Sequence, residues 1–167
     1  MTKINFKGNP VQTSGMLPEV GSKAKDFKLT DASLADVSLS TYVGKRVVMN
    51  IFPSVDTGVC AMSVRRFNAE VEKMKNTVVL CISADLPFAS SRFCAAEGLN
   101  NVVTLSEMRP PRSFGEDYGL RMLDGPLAGL LSRAVIVLDE AGKVIYTEQV
   151  PEITQEPQYQ PVVDLLK

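Results

Sequence analysis

Two unbroken apolar runs, RVVMNIF at 46–52 and TVVLCIS at 77–83, constrain this chain more than any other feature. Each has the length of a strand, and neither alternates apolar with polar residues, the pattern of strands covered on both faces of a sheet. Between them Cys60, Val64, Phe67, Val71 and Met74 recur at spacings of 4, 3, 4 and 3, which predicts an amphipathic helix. Strand, helix and strand in that order predict a right-handed crossover within an α/β sheet.

The same alternation continues along the chain. DLPFASSRFCAAEG (85–98) carries Pro87 near its first turn and Gly98 as a stop signal, so it reads as a second helix. NVVTLSE (101–107) is a third short strand, RSFGEDYG (112–119) a short helix, and RAVIVLDEAGKVIYTEQV (133–150) a hairpin turning at Glu140–Gly142. EPQYQPVVDLLK closes the chain as a helix. Ahead of the first run, KINF, a turn at KGNP and VQTS predict an N-terminal β-hairpin, and FKLT and DVSLS predict short strands. The sum is an α/β fold with a central mixed sheet flanked by helices.

At 167 residues the chain is read as one domain over 1–167, long enough to bury about two thirds of its unfolded surface. Eighteen basic residues face 19 acidic ones with no basic block, which gives nucleic acid or an anionic membrane no electrostatic hold. The polar, turn-rich start lacks the apolar core of a secretion signal, and VVLCI and AVIVL are too short to span a bilayer. The cytoplasm is the expected location. There is no G-x-G-x-x-G or P-loop for a nucleotide, and no cofactor is expected. Three cysteines without C-x-x-C, in a chain with no histidine, make neither a disulfide scaffold nor a zinc site. Lack of histidine also removes Ser-His-Asp and Cys-His catalysis.

Cys60 therefore poses a question. With Thr57 as N-cap, Gly58, Val59 and Cys60 occupy the first three helical positions, where unpaired backbone N–H groups favour negative charge. A thiolate there gains part of what histidine supplies elsewhere. Isolated cysteines are also commonly buried and inert, and Cys60 lies on the apolar stripe of its helix, so spacing alone leaves both readings open. Pro53 can simply stop a strand, Thr57 can be a routine N-cap, and Arg65 and Arg66 read as solvated helix residues.

The stretch FPSVDTGVC contains P-x-x-x-T-x-x-C, the active-site signature of the peroxiredoxins, and the chain resembles their bacterial thiol peroxidase subgroup, of the atypical two-cysteine class. The likeness continues through ADLPFASSRFC, DGPLAGLLSRAVIVLDE and the C-terminal EIT-x-EP, and so covers nearly the whole chain. It implies a thioredoxin-like fold and a thiol-specific peroxidase reducing hydrogen peroxide and organic hydroperoxides. It also implies roles. Cys60 is the peroxidatic cysteine, becoming a sulfenic acid, and Cys94 the resolving cysteine, closing an intramolecular Cys60–Cys94 disulfide that thioredoxin reduces. Thr57 places its hydroxyl by sulfur and peroxide, Arg133 supplies a permanent cation, and Pro53 walls the pocket. Cys81 is a non-catalytic, buried thiol. A homodimer is implied as well.

Some positions stay outside those roles. Arg92 reads equally as part of a reductant-docking segment and as a solvated helix residue. Phe52, Val55, Leu127, Leu130 and Leu131 are candidates for an apolar wall suited to alkyl or lipid hydroperoxides. EMRPPRSFG departs from the family in its prolines, near the family's dimer contact. Two competing functions share the architecture: a protein disulfide reductase, disfavoured by the absent C-x-x-C, and a non-enzymatic redox sensor or holdase.

Overall fold

The structure, a computed structural model, describes residues 2–167. Nine strands and four α-helices follow the alternation read from the sequence: β1 (Lys3–Phe6), β2 (Asn9–Gln12), β3 (Leu29–Thr30), β4 (Asp36–Val37), β5 (Arg46–Ile51), α1 (Gly58–Glu70), β6 (Thr77–Ser83), α2 (Pro87–Glu97), β7 (Val103–Ser106), α3 (Phe114–Asp117), β8 (Ala134–Leu138), β9 (Val144–Gln149) and α4 (Gln160–Leu166). Seven of the strands form one mixed sheet in the order β4-β3-β7-β6-β5-β8-β9. β5, β6 and β7 run parallel to one another, and β8 returns antiparallel along β5.

The apolar runs are unbroken because each feeds two cores. Successive side chains of a strand point to opposite faces. Val47, Met49 and Ile51 of β5 join Leu80, Ile82, Phe114, Tyr118 and Leu131 on one face of the sheet. Val48 and Phe52 join Val79, Cys81, Val64 and Phe67 of α1, Phe93 of α2, and Val162 and Leu166 of α4 on the other. Burying the Val, Leu and Phe side chains of these layers is worth about 1.5–3 kcal/mol each.

Helix ends follow local chemistry. Pro87 opens α2 at a position whose N–H has no intrahelical partner. At the other end Gly98 takes φ 68°, and Leu99 N–H donates to Cys94 O (2.9 Å) while Gly98 N–H reaches Ala95 O (3.4 Å). That pair of bonds is a Schellman cap, which only a residue at ease with positive φ can close. α1 ends earlier than its apolar spacing predicts. Val71–Lys73 tighten into a 3₁₀ turn and Met74 is extended, yet Met74 still packs into the α1 core.

The N-terminal hairpin is present with a tighter turn than expected. Lys7 and Gly8 alone form it, both at positive φ (51° and 80°), and Asn9 and Pro10 belong to β2. Its second strand ends at Gln12 rather than Ser14. The hairpin is sewn to the far end of the chain: Asn5 N–H donates to Pro151 O (2.8 Å), and Ile153 N–H donates to Asn5 O (2.9 Å). Ile4, Val11, Met122 and Ile153 form the apolar cluster beneath it.

The proline-rich segment after β7 is organised by buried charge. Fully buried Glu107 accepts from Arg121, with Arg121 Nη2 at 2.8 Å, and from Arg112 Nη2 (3.2 Å). Arg121 also donates to Glu116 (2.9 Å) and to Arg112 O (2.8 Å). Every nitrogen of that guanidinium is used, as burial demands.

Candidate active site

β5 delivers the chain to the site at its carboxyl end. After Ile51 come buried Phe52 and Pro53, then a four-residue turn in which Thr57 N–H and Thr57 Oγ1 both donate to Ser54 O (3.2 and 3.1 Å). The Ser54 hydroxyl donates to Asp85 Oδ1 (2.7 Å), and Val55 N–H donates to Asp85 Oδ2 (2.8 Å). Thr57 is the N-cap of α1, but its side chain makes no capping bond, being engaged with Ser54 O instead. Cys60 is at the third helical position, completely removed from solvent.

Sheet register brings the cation. β5 and β8 pair with Ile51 opposite Ala134, so Arg133, one residue earlier, lies just beyond the end of β5 where α1 begins. The Arg133 side chain is 2% exposed. Its Nη2 donates to Cys60 Sγ at 3.2 Å and its Nε to Ile153 O at 2.9 Å. Nη1 is buried and has no hydrogen-bond partner among the described residues. No carboxylate pairs with this guanidinium among the described residues either. A buried cation without a counter-charge is costly, and among the described residues Cys60 Sγ is the one side-chain partner this guanidinium has.

A pocket of about 280 Å³ is lined by Pro53, Thr57, Val59 and Arg133; wholly buried Cys60 is not itself among its lining residues. Phe6, Leu127 and Ile153 are among its other walls. Of the apolar candidates, only Leu127 lines it. Phe52 and Val55 are buried in the α1 core, Leu131 packs on the opposite face of the sheet, and Leu130 leans on the hairpin cluster. The alternation of the strand and the turn at 54–57 direct Phe52 and Val55 inward. Phe6, Ile153 and Thr154, which lie far from Cys60 in the chain, also line the pocket. Nothing local in the sequence ties them to Cys60, although EIT-x-EP includes the last two.

The other two cysteines have different surroundings, and all three are free thiols. Cys94 is half-buried on α2 and opens onto a separate groove beside Asp31, Leu99 and Thr104; burial pushes its thiol up. Cys81 is fully buried in β6. Desolvation pushes its thiol up to about 12, against a weaker opposing contact from Asn50 Nδ2 at 3.7 Å. Exposed Arg92 contacts Asp56 of the Cys60 turn (3.4 Å). Arg65 forks onto Glu97 (3.0 and 2.8 Å), and Arg66 pairs with Glu70 (2.9 Å), both at the surface of α1.

No group of three or more Cys, Asp or Glu side chains is arranged to hold a metal ion among the described residues. Nor is any described helix long and apolar enough to cross a membrane.

The arrangement matches proteins of known type. The Redoxin family model matches residues 19–163. A thiol peroxidase of Corynebacterium glutamicum is 54% identical over 159 residues, covering 95% of each chain. Among solved structures, a peroxiredoxin-like protein from Aquifex aeolicus superposes with a TM-score of 0.91 at 36% identity, over 99% of this chain and 95% of that one. A thiol peroxidase from Chromobacterium violaceum has the same fold (TM-score 0.91, 23% identity, 99% and 95% covered). With the thioredoxin-like peroxiredoxin architecture and this extent of identity, the chain belongs to the Redoxin family and, within it, to the thiol peroxidases, which are peroxiredoxin-type enzymes.

Proposed function

We propose that Cys60 is the nucleophile of a peroxidase cycle acting on hydrogen peroxide and organic hydroperoxides. The Sγ thiolate attacks the terminal peroxide oxygen, the O–O bond breaks, and the departing oxygen leaves as water or alcohol after taking up a proton. The observation that carries this reading is the Arg133 guanidinium, which spends Nη2 on Sγ at 3.2 Å and keeps Nη1 free of any described partner. One nitrogen stabilises the attacking sulfur, and the other is available to the oxygen on which charge builds. Thr57 Oγ1 already donates to Ser54 O, so its lone pairs are left to accept the peroxide proton. Buried Pro53 walls the pocket and limits the access of water.

In the second half of the cycle Cys94 Sγ attacks the Cys60 sulfenic acid, and a Cys60–Cys94 disulfide forms with loss of water. Cysteine Cα atoms must come within about 4.4–6.8 Å for this bond. Cys60 is sealed under Arg133 and Cys94 faces another groove, so α1 and α2 unwind locally around these residues as the bond closes. Thioredoxin then reduces the disulfide by thiol exchange. We extend the reading to one domain over 1–167, a homodimer and the cytoplasm, in keeping with the bacterial thiol peroxidase that the chain resembles.

The test is peroxide consumption with thioredoxin, thioredoxin reductase and NADPH. Steady turnover is expected. Insulin reduction without peroxide turnover would favour a disulfide reductase, and oxidation that stops after a single equivalent would favour a sensor.

A further inference from the structure

Asp85 lies between the two cysteine-bearing elements and touches neither sulfur. Its Oδ1 accepts the Ser54 hydroxyl (2.7 Å); its Oδ2 accepts Val55 N–H (2.8 Å) and the Ser83 hydroxyl (2.7 Å). Ser83 is the last residue of β6, and its hydroxyl also receives Asp85 N–H (3.2 Å), which fixes the carboxylate against the sheet. Two residues after Asp85, α2 begins and runs to Cys94. Ser54 and Val55 form the first half of the turn that leads to Cys60, and Val55 packs in the same apolar cluster as Cys60. A single carboxylate thus clamps the start of the Cys60 turn to the base of the Cys94 helix. Exposed Arg92 and Asp56 make only one long contact (3.4 Å) across the same gap.

We propose that Asp85 is a positioning residue: a latch that holds the Cys60 turn in its peroxide-reactive form and is released when the disulfide closes. The proposal rests on the cysteine roles given under Proposed function. In the closing step the Cys94 S–H loses its proton, its sulfur bonds to Cys60 Sγ, and the sulfenic oxygen leaves as water. Ser54 and Val55 part from Asp85 as the turn unwinds. Bonds to a carboxylate are among the stronger ones in proteins, so the latch slows closure and lengthens the life of the sulfenic acid. That lifetime decides how much sulfenic acid meets a second peroxide and becomes sulfinic acid.

The experiment follows single-turnover oxidation of the full chain by rapid quench, thiol alkylation and mass spectrometry, resolving Cys60 sulfenic acid from the Cys60–Cys94 disulfide. Asp85→Ala is expected to speed the sulfenic-to-disulfide step about tenfold, the effect of losing both charge-assisted bonds, to Ser54 and to Val55, from the resting state. The peroxide concentration giving half-maximal sulfinic acid should rise in parallel, while the first oxidation slows. Ser54→Ala removes one bond and keeps the carboxylate, so it should move both readouts the same way by about threefold, and it serves if Asp85→Ala fails to fold. A folded variant closing its disulfide at the wild-type rate or slower overturns the latch. Wild-type protein that forms no Cys60 sulfenic acid or no Cys60–Cys94 bond overturns the cysteine roles themselves, a separate and visible failure.

Discussion

Arg133 Nη2 lies 3.2 Å from Cys60 Sγ, and both side chains are closed to solvent. A permanent cation and a sulfur are thus confined together without histidine, at the start of a helix whose N–H groups add positive potential. Replacing Arg133 with Met removes the cation and keeps much of its bulk. Peroxide attack on Cys60 should fall by about 10²–10³-fold, the usual cost of losing an oriented donor to developing negative charge. Stopped-flow oxidation over a pH series measures it; an unchanged rate and pH profile would take Arg133 out of the chemistry.

Cys94→Ser should leave the first oxidation of Cys60 intact and block recycling by thioredoxin, with sulfinic acid accumulating in excess peroxide. In the wild type the disulfide-forming step should quicken as pH rises through and above neutrality. Burial pushes the Cys94 thiol up, so the thiolate it needs for attack is scarce at neutral pH and grows with alkalinity. Single-turnover quenching across pH measures this, and a rate that falls with pH would contradict it.

Cys81→Ser should keep nearly full turnover, since the Cys81 thiol is sealed in β6. The thiol ordinarily ionises near 9.0 and is pushed up to about 12 in the fold, so folding favours its protonated form. Its contribution to stability is whole below pH 9 and is lost as pH rises beyond that value. Alkaline denaturant titrations should therefore show a smaller loss above pH 9 for Cys81→Ala than for wild type, in the range before the buried tyrosines titrate. Equal slopes would contradict the assignment.

Glu152 ties the hairpin turn to Thr154, joining two parts of the pocket's lining. Its carboxylate accepts Thr154 N–H (3.0 Å), Gly8 N–H (2.7 Å) and Lys7 N–H (3.2 Å), and these bonds lower it from the ordinary 4.5 to about 2. A lowered acid stabilises the fold above its unfolded value, so this hold is complete above pH 4.5 and fades as pH drops toward 2. Amide exchange of Lys7 and Gly8 should quicken over that range, and Glu152→Gln should produce faster exchange already at neutral pH. Equal protection in both proteins would show that the hairpin is held by Asn5 and Ile153 alone.

Much of this architecture was legible because its causes are local. β6 matches TVVLCIS residue for residue, and α2 stops where Gly98 supplies a left-handed cap. Cys60 could be placed at the head of α1 from Thr57 and the apolar stripe. What escaped depends on distant pairing. No local pattern shows that Phe6 and Ile153 share a pocket, since their meeting rests on hydrogen bonds between residues 5 and 153. The Asp85 carboxylate reaches a hydroxyl and a backbone N–H 31 and 30 residues away, and Glu107 pairs with Arg121 14 residues on. Phe52 and Val55 face the α1 core and not the pocket, because hydrophobicity reports burial and not which cavity a residue faces.

The most direct test is to treat the Cys94→Ser protein with one equivalent of hydrogen peroxide, trap sulfenic acid with dimedone, and map the adduct by peptide mass spectrometry. The adduct should sit on Cys60, formed rapidly and stoichiometrically. An adduct on Cys81, or none at all while peroxide is consumed, would contradict the account.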